Sequence, residues 1–313
     1  MKKLLWLCTF ILSCSGQKAL DILGTDYRGY IVVTTVATDP ATGPGIMSLF
    51  KPNGELHSIL HDYYNNGTDF PTGVAFQSPD KLIYTVNGSN RLEKLDLTTD
   101  VSTVLNTSGL PSFTLKNIAR STVDGSVYVV KSAASPAIDK FDSNTGVRSP
   151  FAAATVGACA LATPYGIAFI PSTEQVAVIS SAAAGRLSIY DKDGNCVSHF
   201  TTGAALSAGT PSGVAYHATT GKLIITQATS HAIYALNLDG TGATLIYQNS
   251  TFINTPRTIT TDSNGYIYVS SSGTDTVEKL YWSGTGSATR ATSVPLISTQ
   301  VLSQNVTSIL VLE

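Results

Sequence analysis

The sequence predicts an all-β fold: a six-bladed β-propeller with four-stranded blades, its ring closed by the C-terminal strand joining the N-terminal blade. Three observations predict it. A short motif recurs every 44 to 50 residues, further β-rich segments keep step with it, and the first repeat lacks an opening segment that the C-terminus supplies. Periods of this size mark architectures in which each repeat buries its apolar face against the next.

The motif is a small or turn-forming residue followed by a β-branched one. It reads Pro71-Thr72-Gly73-Val74, Lys116-Asn117-Ile118, Pro164-Tyr165-Gly166-Ile167, Pro211-Ser212-Gly213-Val214 and Pro256-Arg257-Thr258-Ile259, with a degenerate copy at Val306-Thr307-Ser308-Ile309. Each copy opens the first strand of a blade. Second strands follow turns rich in Gly, Asp, Asn or Pro, which tolerate hairpin dihedrals. They are expected at Leu82 to Val86, Ser126 to Val130, Gln175 to Ser180, Lys222 to Gln227 and Tyr266 to Ser270. Third strands align at Arg91 to Asp96, Ala137 to Asp142, Arg186 to Asp191, Ala232 to Asn237 and Thr276 to Tyr281. Fourth strands, such as Cys196 to Phe200 and Ala243 to Tyr247, are less regular, as befits an edge with one neighbour fewer. Gly29 to Thr35, Ile46 to Phe50 and Leu56 to Leu60 match second, third and fourth strands. Val306 to Leu312 then completes their blade and removes the open edge of the ring.

Composition agrees with one large core. Of 313 residues 43% are hydrophobic and 13% charged, and 19 basic residues against 21 acidic ones leave no basic footprint for nucleic acid. Met1-Lys2-Lys3 followed by the apolar Leu4 to Leu12 is the charged start and short apolar stretch of a secretory signal, too short to span a bilayer. The division expected is a signal over 1–13, a linker over 14–20 and the propeller over 21–313.

Ile11-Leu12-Ser13-Cys14 resembles the lipobox of bacterial lipoproteins, which implies that Cys14 is lipidated and anchors the protein in the cell envelope. Ser15 in place of an aspartate resembles the outer-membrane sorting signal. Cys159 and Cys196 then remain as a pair in an oxidising compartment. Parity favours a bridge between them. The repeat register opposes it, placing Cys159 in a connection and Cys196 at the start of an outer strand, near opposite ends of a blade; the pairing stays open.

The expected binding face is the mouth where first strands begin. The register sets Thr72, Lys116, Tyr165, Ser212, Arg257 and Thr307 around it, with Asn117 adjacent. Lys116 and Arg257 lie three blades apart and should face each other. They either hold a carboxylate, phosphate or acidic sugar between them, or extend into solvent and pair with loop acids such as Asp69 and Asp275. No histidine follows a metal spacing and no serine sits in a nucleophile elbow. Tyr128, Tyr190, Tyr234 and Tyr268 recur within strands and read as packing between blades.

The repeat pattern is similar to the broad class of six-bladed propellers that includes NHL-repeat proteins and the gluconolactonase and senescence-marker family. That class implies either a binding module or a metal-dependent lactonase-like hydrolase with a divalent cation such as calcium in its channel. The hydrolase reading lacks acids at the rim; Asn117 alone matches, and Asp39, Asp69 and Asp275 offer only a looser set. The favoured expectation is an envelope-anchored monomer without a cofactor, binding a small anionic ligand, glycan or envelope protein through the top-face channel mouth. No nucleic acid is expected, and membrane contact is by the lipid anchor alone.

Overall fold

A computed structural model describes residues 26–36, 45–62, 69–78, 80–107, 110, 115–132, 134–181, 186–201, 206, 209–298 and 305–313. Cys14 and Asp39 lie outside the described residues. The chain forms a propeller of six antiparallel four-stranded blades. The inner strands are Asn305–Val311 in blade one, then Phe70–Ser78, Leu115–Arg120, Pro164–Ile170, Pro211–His217 and Pro256–Thr261. Each packs against the next, and the last returns to the first, so the six close a ring.

Expected and observed strands agree to within two residues at their boundaries. Blade one is completed from both ends of the sequence: Asn305–Val311 pairs antiparallel with Ile31–Val36, with Ile31 opposite Val311 and Val36 opposite Asn305. The Leu312 N–H donates to the Tyr30 carbonyl at 2.9 Å, and the Gly29 N–H to that of Leu312 at 2.6 Å.

Each seam between neighbouring blades holds its own hydrophobic cluster. Alternating side chains of a strand point to opposite faces of its sheet, so each blade feeds two seams. The recurring tyrosines fill these seams: Tyr128, Tyr190, Tyr234 and Tyr268 are all buried, as is Tyr84. The motif glycines sit where inner strands meet backbone to backbone. A β-carbon on Gly213 would stand 2.6 Å from the Arg257 carbonyl oxygen, and one on Gly73 2.9 Å from the Ile118 nitrogen.

The connection after blade three departs from a plain loop. It carries a ribbon of Thr155–Val156 and Cys159–Ala160, which folds back against the third and outer strands of blade four. Cys159 thereby meets Cys196, and the two form a disulfide with a Cα–Cα separation of 5.5 Å. The expected placement at opposite ends of a blade is corrected by this fold-back, which carries the connection along the blade.

Candidate functional site

All six rim residues share a backbone irregularity. In every inner strand the pairing with the second strand slips at the rim: Pro71 opposes Val86 and Gly73 opposes Thr85, skipping Thr72. Thr307 and Tyr165 are skipped in the same way, as are Lys116 with Asn117, Ser212 with Gly213, and Arg257 with Thr258. Such bulges free a residue from the ladder and re-aim its side chain.

What the bulged side chains do divides them into two groups. Thr72, Ser212 and Thr307 have their hydroxyls bonded within the protein, and those of Ser212 and Thr307 tie neighbouring blades together. The Ser212 hydroxyl donates to the Pro256 carbonyl at 2.7 Å and lies 3.0 Å from the Thr226 hydroxyl. The Thr307 hydroxyl donates to the Pro71 carbonyl at 2.9 Å and lies 2.8 Å from that of Thr34. Thr72 and Thr85 share a hydrogen bond of 3.0 Å. The first two ties run from one blade to the next, so these hydroxyls are occupied by structure. The second strands of blades three and four have Val130 and Ile179 near the bulge, and the Ser180 hydroxyl beside Ile179 is buried without a hydrogen-bond partner.

Lys116, Tyr165 and Arg257 form the second group. The Lys116 ammonium lies 6.0 Å from the centroid of the Tyr165 ring, within cation–π range. Lys116 is half-buried and Arg257 exposed. Burial, and then the Arg257 charge, hold the Lys116 ammonium below its usual range. The two cations therefore sense each other across the mouth. Among the described residues neither has a carboxylate within ion-pair distance.

Neither loop acid pairs with these cations. Asp69 is buried, 3.3 Å from the Arg91 guanidinium, and accepts the Ser89 N–H at 2.7 Å. Asp275 is left with Oδ1 buried and unpartnered, and burial raises its carboxyl above the ordinary 3.8. The Asn117 Oδ1 accepts the Ile118 N–H at 2.8 Å. Calcium needs several oxygens converging on one point. These residues do not assemble such a set, and among the described residues no three of His, Cys, Asp and Glu cluster closely enough to hold a metal. His231, on the same face, has Nδ1 accepting the Thr255 N–H at 3.0 Å and joins blades five and six.

The aligned third strands also hold acids whose role the linear sequence does not disclose. Glu93, Asp139 and Glu278 occupy the same register and are buried. Asp139 binds Lys131 at 2.7 Å and Arg148 at 2.8 Å, Glu278 binds Arg290 at 2.8 Å, and Glu93 pairs with Arg91 and Tyr84. Their alignment is the signal that could have flagged them as internal ion pairs.

A cavity of about 320 Å³ lies beneath the rim, towards the opposite mouth. Its wall is the ring of motif residues Val74, Ile118, Ile167, Val214, Ile259 and Ile309, and it reaches the turns around Thr122, Pro171 and Ser263. This cavity thus lies away from the face that the repeat register singles out for binding.

No family model matches the sequence, and no curated protein is similar to it. Solved structures are. A chain of the nidogen/laminin complex superposes with a TM-score of 0.67 at 14% identity, covering 91% of this chain and 98% of that one. A protein of unknown function from Bacteroides caccae gives 0.61 at 13% identity, over 90% of this chain and 97% of its own. Virginiamycin B lyase from Staphylococcus aureus gives 0.55 at 18% identity, over 71% of each. At these identities the likeness establishes a shared propeller fold, and the site has to be read from its own residues.

Proposed function

We propose that this chain is a binding module of the bacterial cell envelope, anchored through a lipidated Cys14, that takes a small anionic ligand between Lys116 and Arg257 with Tyr165 beside them. The observation that carries this reading is a half-buried lysine that feels another cation and, among the described residues, has no carboxylate within ion-pair distance. Positive charge held in that way costs stability, and an anion between the two groups replaces repulsion with charge-assisted hydrogen bonds. A carboxylate, a phosphate or the acid group of a sugar has the right chemistry. The similarity to a chain solved within a protein complex is compatible with a propeller that serves as a binding surface. The apolar stretch ending in Ile11-Leu12-Ser13-Cys14 supports the anchor.

Calorimetric titration with inorganic phosphate, citrate and glucuronate tests the site. At least one should bind, and Lys116→Ala and Arg257→Ala should each weaken it about tenfold or more, with the melting temperature unchanged or slightly higher. An affinity untouched by both substitutions would refute the rim. Cys14→Ser should abolish metabolic palmitate labelling and release the protein from the membrane fraction; retained labelling would refute the anchor.

A further inference from the structure

A second cavity, of about 150 Å³, lies between blades three and four on the face opposite the rim. Blade three lends it Tyr128 and Lys140 from adjacent strands and Asp124 from the turn after its inner strand; blade four lends Glu174, Lys192 and Asp193 from its own turns. Its size is below the roughly 300 Å³ at which drug-sized ligands begin to fit, so an occupant has few heavy atoms. Two of its wall groups lack a counterpart. Tyr128 is 1% exposed, its ring fixed between Phe151 and Phe169. Among the described residues its hydroxyl proton has no acceptor: the Lys140 ammonium, 5.6 Å from the ring centroid, can only donate, and it donates to Asp124 at 3.0 Å. Unlike the Tyr190 hydroxyl, which is sealed without a partner, that of Tyr128 stays open to solvent, and the residue lines the cavity. Glu174 is the converse case. Its carboxylate is exposed and, among the described residues, makes no ion pair or hydrogen bond.

The repeat shows that the fold requires neither feature. In blade six Tyr268 and Lys279 form the same cross-strand pair as Tyr128 and Lys140, and there the Tyr268 hydroxyl donates to Asp262 at 3.0 Å. Asp262 directly follows its inner strand. Blade three has Ser121 at that place, and its hydroxyl accepts the Val123 and Asp124 N–H groups at 3.2 Å, which leaves Tyr128 without the acceptor. Glu174, directly before the second strand of blade four, holds a left-handed backbone with φ 53°; the matching residue of blade five is Gly221, with φ 65°. Glycine takes that conformation freely and glutamate does not, so the carboxylate stands there against the preference of the turn. A lone anion in the cavity would meet Asp124, Glu174 and Asp193, and a lone cation Lys140 and Lys192. A molecule carrying both charges close together can set each against its opposite.

We infer that this cavity binds a small zwitterion of the α-amino-acid class, its carboxylate accepting from the Tyr128 hydroxyl and Lys140 and its ammonium held by Glu174 and Asp193. The inference is independent of the rim, which lies on the other face and uses other residues.

Titrating the full chain with serine, ethanolamine, 3-hydroxypropionate and glycerol tests it, since the second lacks the carboxylate, the third the ammonium and the fourth both. Serine should bind, with the other three about tenfold or more weaker. Tyr128→Phe keeps the ring packing and removes the donor, and should weaken serine about tenfold. Glu174→Gly should weaken it by a similar factor without lowering the melting temperature, and because Glu174 is exposed this arm stands whatever the tyrosine variant does to packing. No serine binding, serine no tighter than a single-charge analogue or glycerol, or parent affinity retained in either variant would overturn the inference. Serine lost in Lys116→Ala but retained in Tyr128→Phe and Glu174→Gly would also overturn it, while favouring the rim.

Discussion

Lys116 illustrates what one residue can disclose. Its place in the motif is held elsewhere by Thr, Tyr, Ser or Arg, so its charge stands out in the linear sequence and the opposition to Arg257 follows from counting blades. The fate of Thr72, Ser212 and Thr307 is not legible in that way. Whether a bulged hydroxyl turns into the protein depends on what surrounds it, and the Pro256 and Pro71 carbonyls become acceptors only once neighbouring blades have come together. The lowered pKa of Lys116 has a consequence for stability. Between its folded value and the ordinary 10.5 the unfolded chain binds more protons, so this lysine's penalty is full at neutral pH and fades as pH rises through that window. Lys116→Met should therefore melt above the parent at pH 7, with the gap closing towards pH 10.5. Melting curves across that range check it; a gap independent of pH would assign the effect to packing instead.

At the scale of elements, strands were readable because turn chemistry and β-branched runs punctuate every repeat. The outer strand of blade six shrinks to Thr289–Arg290, and the sequence carries no alternation there to announce it. The ribbon of 155–160 was hidden for a related reason: two-residue strands are too short for a period, and only the fold-back brings Cys159 to Cys196. The bridge closes a separation of 37 residues and pins the ribbon to blade four. Replacing both cysteines by serine should cost about 2–4 kcal/mol, read as a lower denaturation midpoint that reductant no longer shifts. The closing strand carries more. Val306, Ile309, Val311 and Leu312 are all buried, each contributing roughly 1.5–3 kcal/mol on burial. Deleting residues 305–313 should destabilise the fold by several kcal/mol and broaden its transition; a truncated chain that melts like the parent would contradict the observed pairing with Ile31–Val36.

For the whole molecule, the architecture was legible from the period alone, whereas the division of the channel was not. The same motif that opens each inner strand places its polar position at one mouth and its β-branched position on the wall of the cavity towards the other. One ring thus carries the Lys116 and Arg257 cations at one mouth and a chamber walled by β-branched residues towards the other. The closure of blade one also bears on time. Thr34 and Thr307 hydrogen-bond across 273 positions of chain, so the loop entropy of the entire ring is lost in a single late contact. Pairings of such range form slowly. Blades two to six are contiguous in the chain and can assemble as a ribbon of neighbours, but the seam between blades six and one needs the last strand, which supplies Val306, Ile309 and Val311. Closure of the ring is therefore expected to be the slow step of folding, and a circular permutant that joins residues 29 and 312 and opens between two other blades should move that step to the new opening, as refolding kinetics would show.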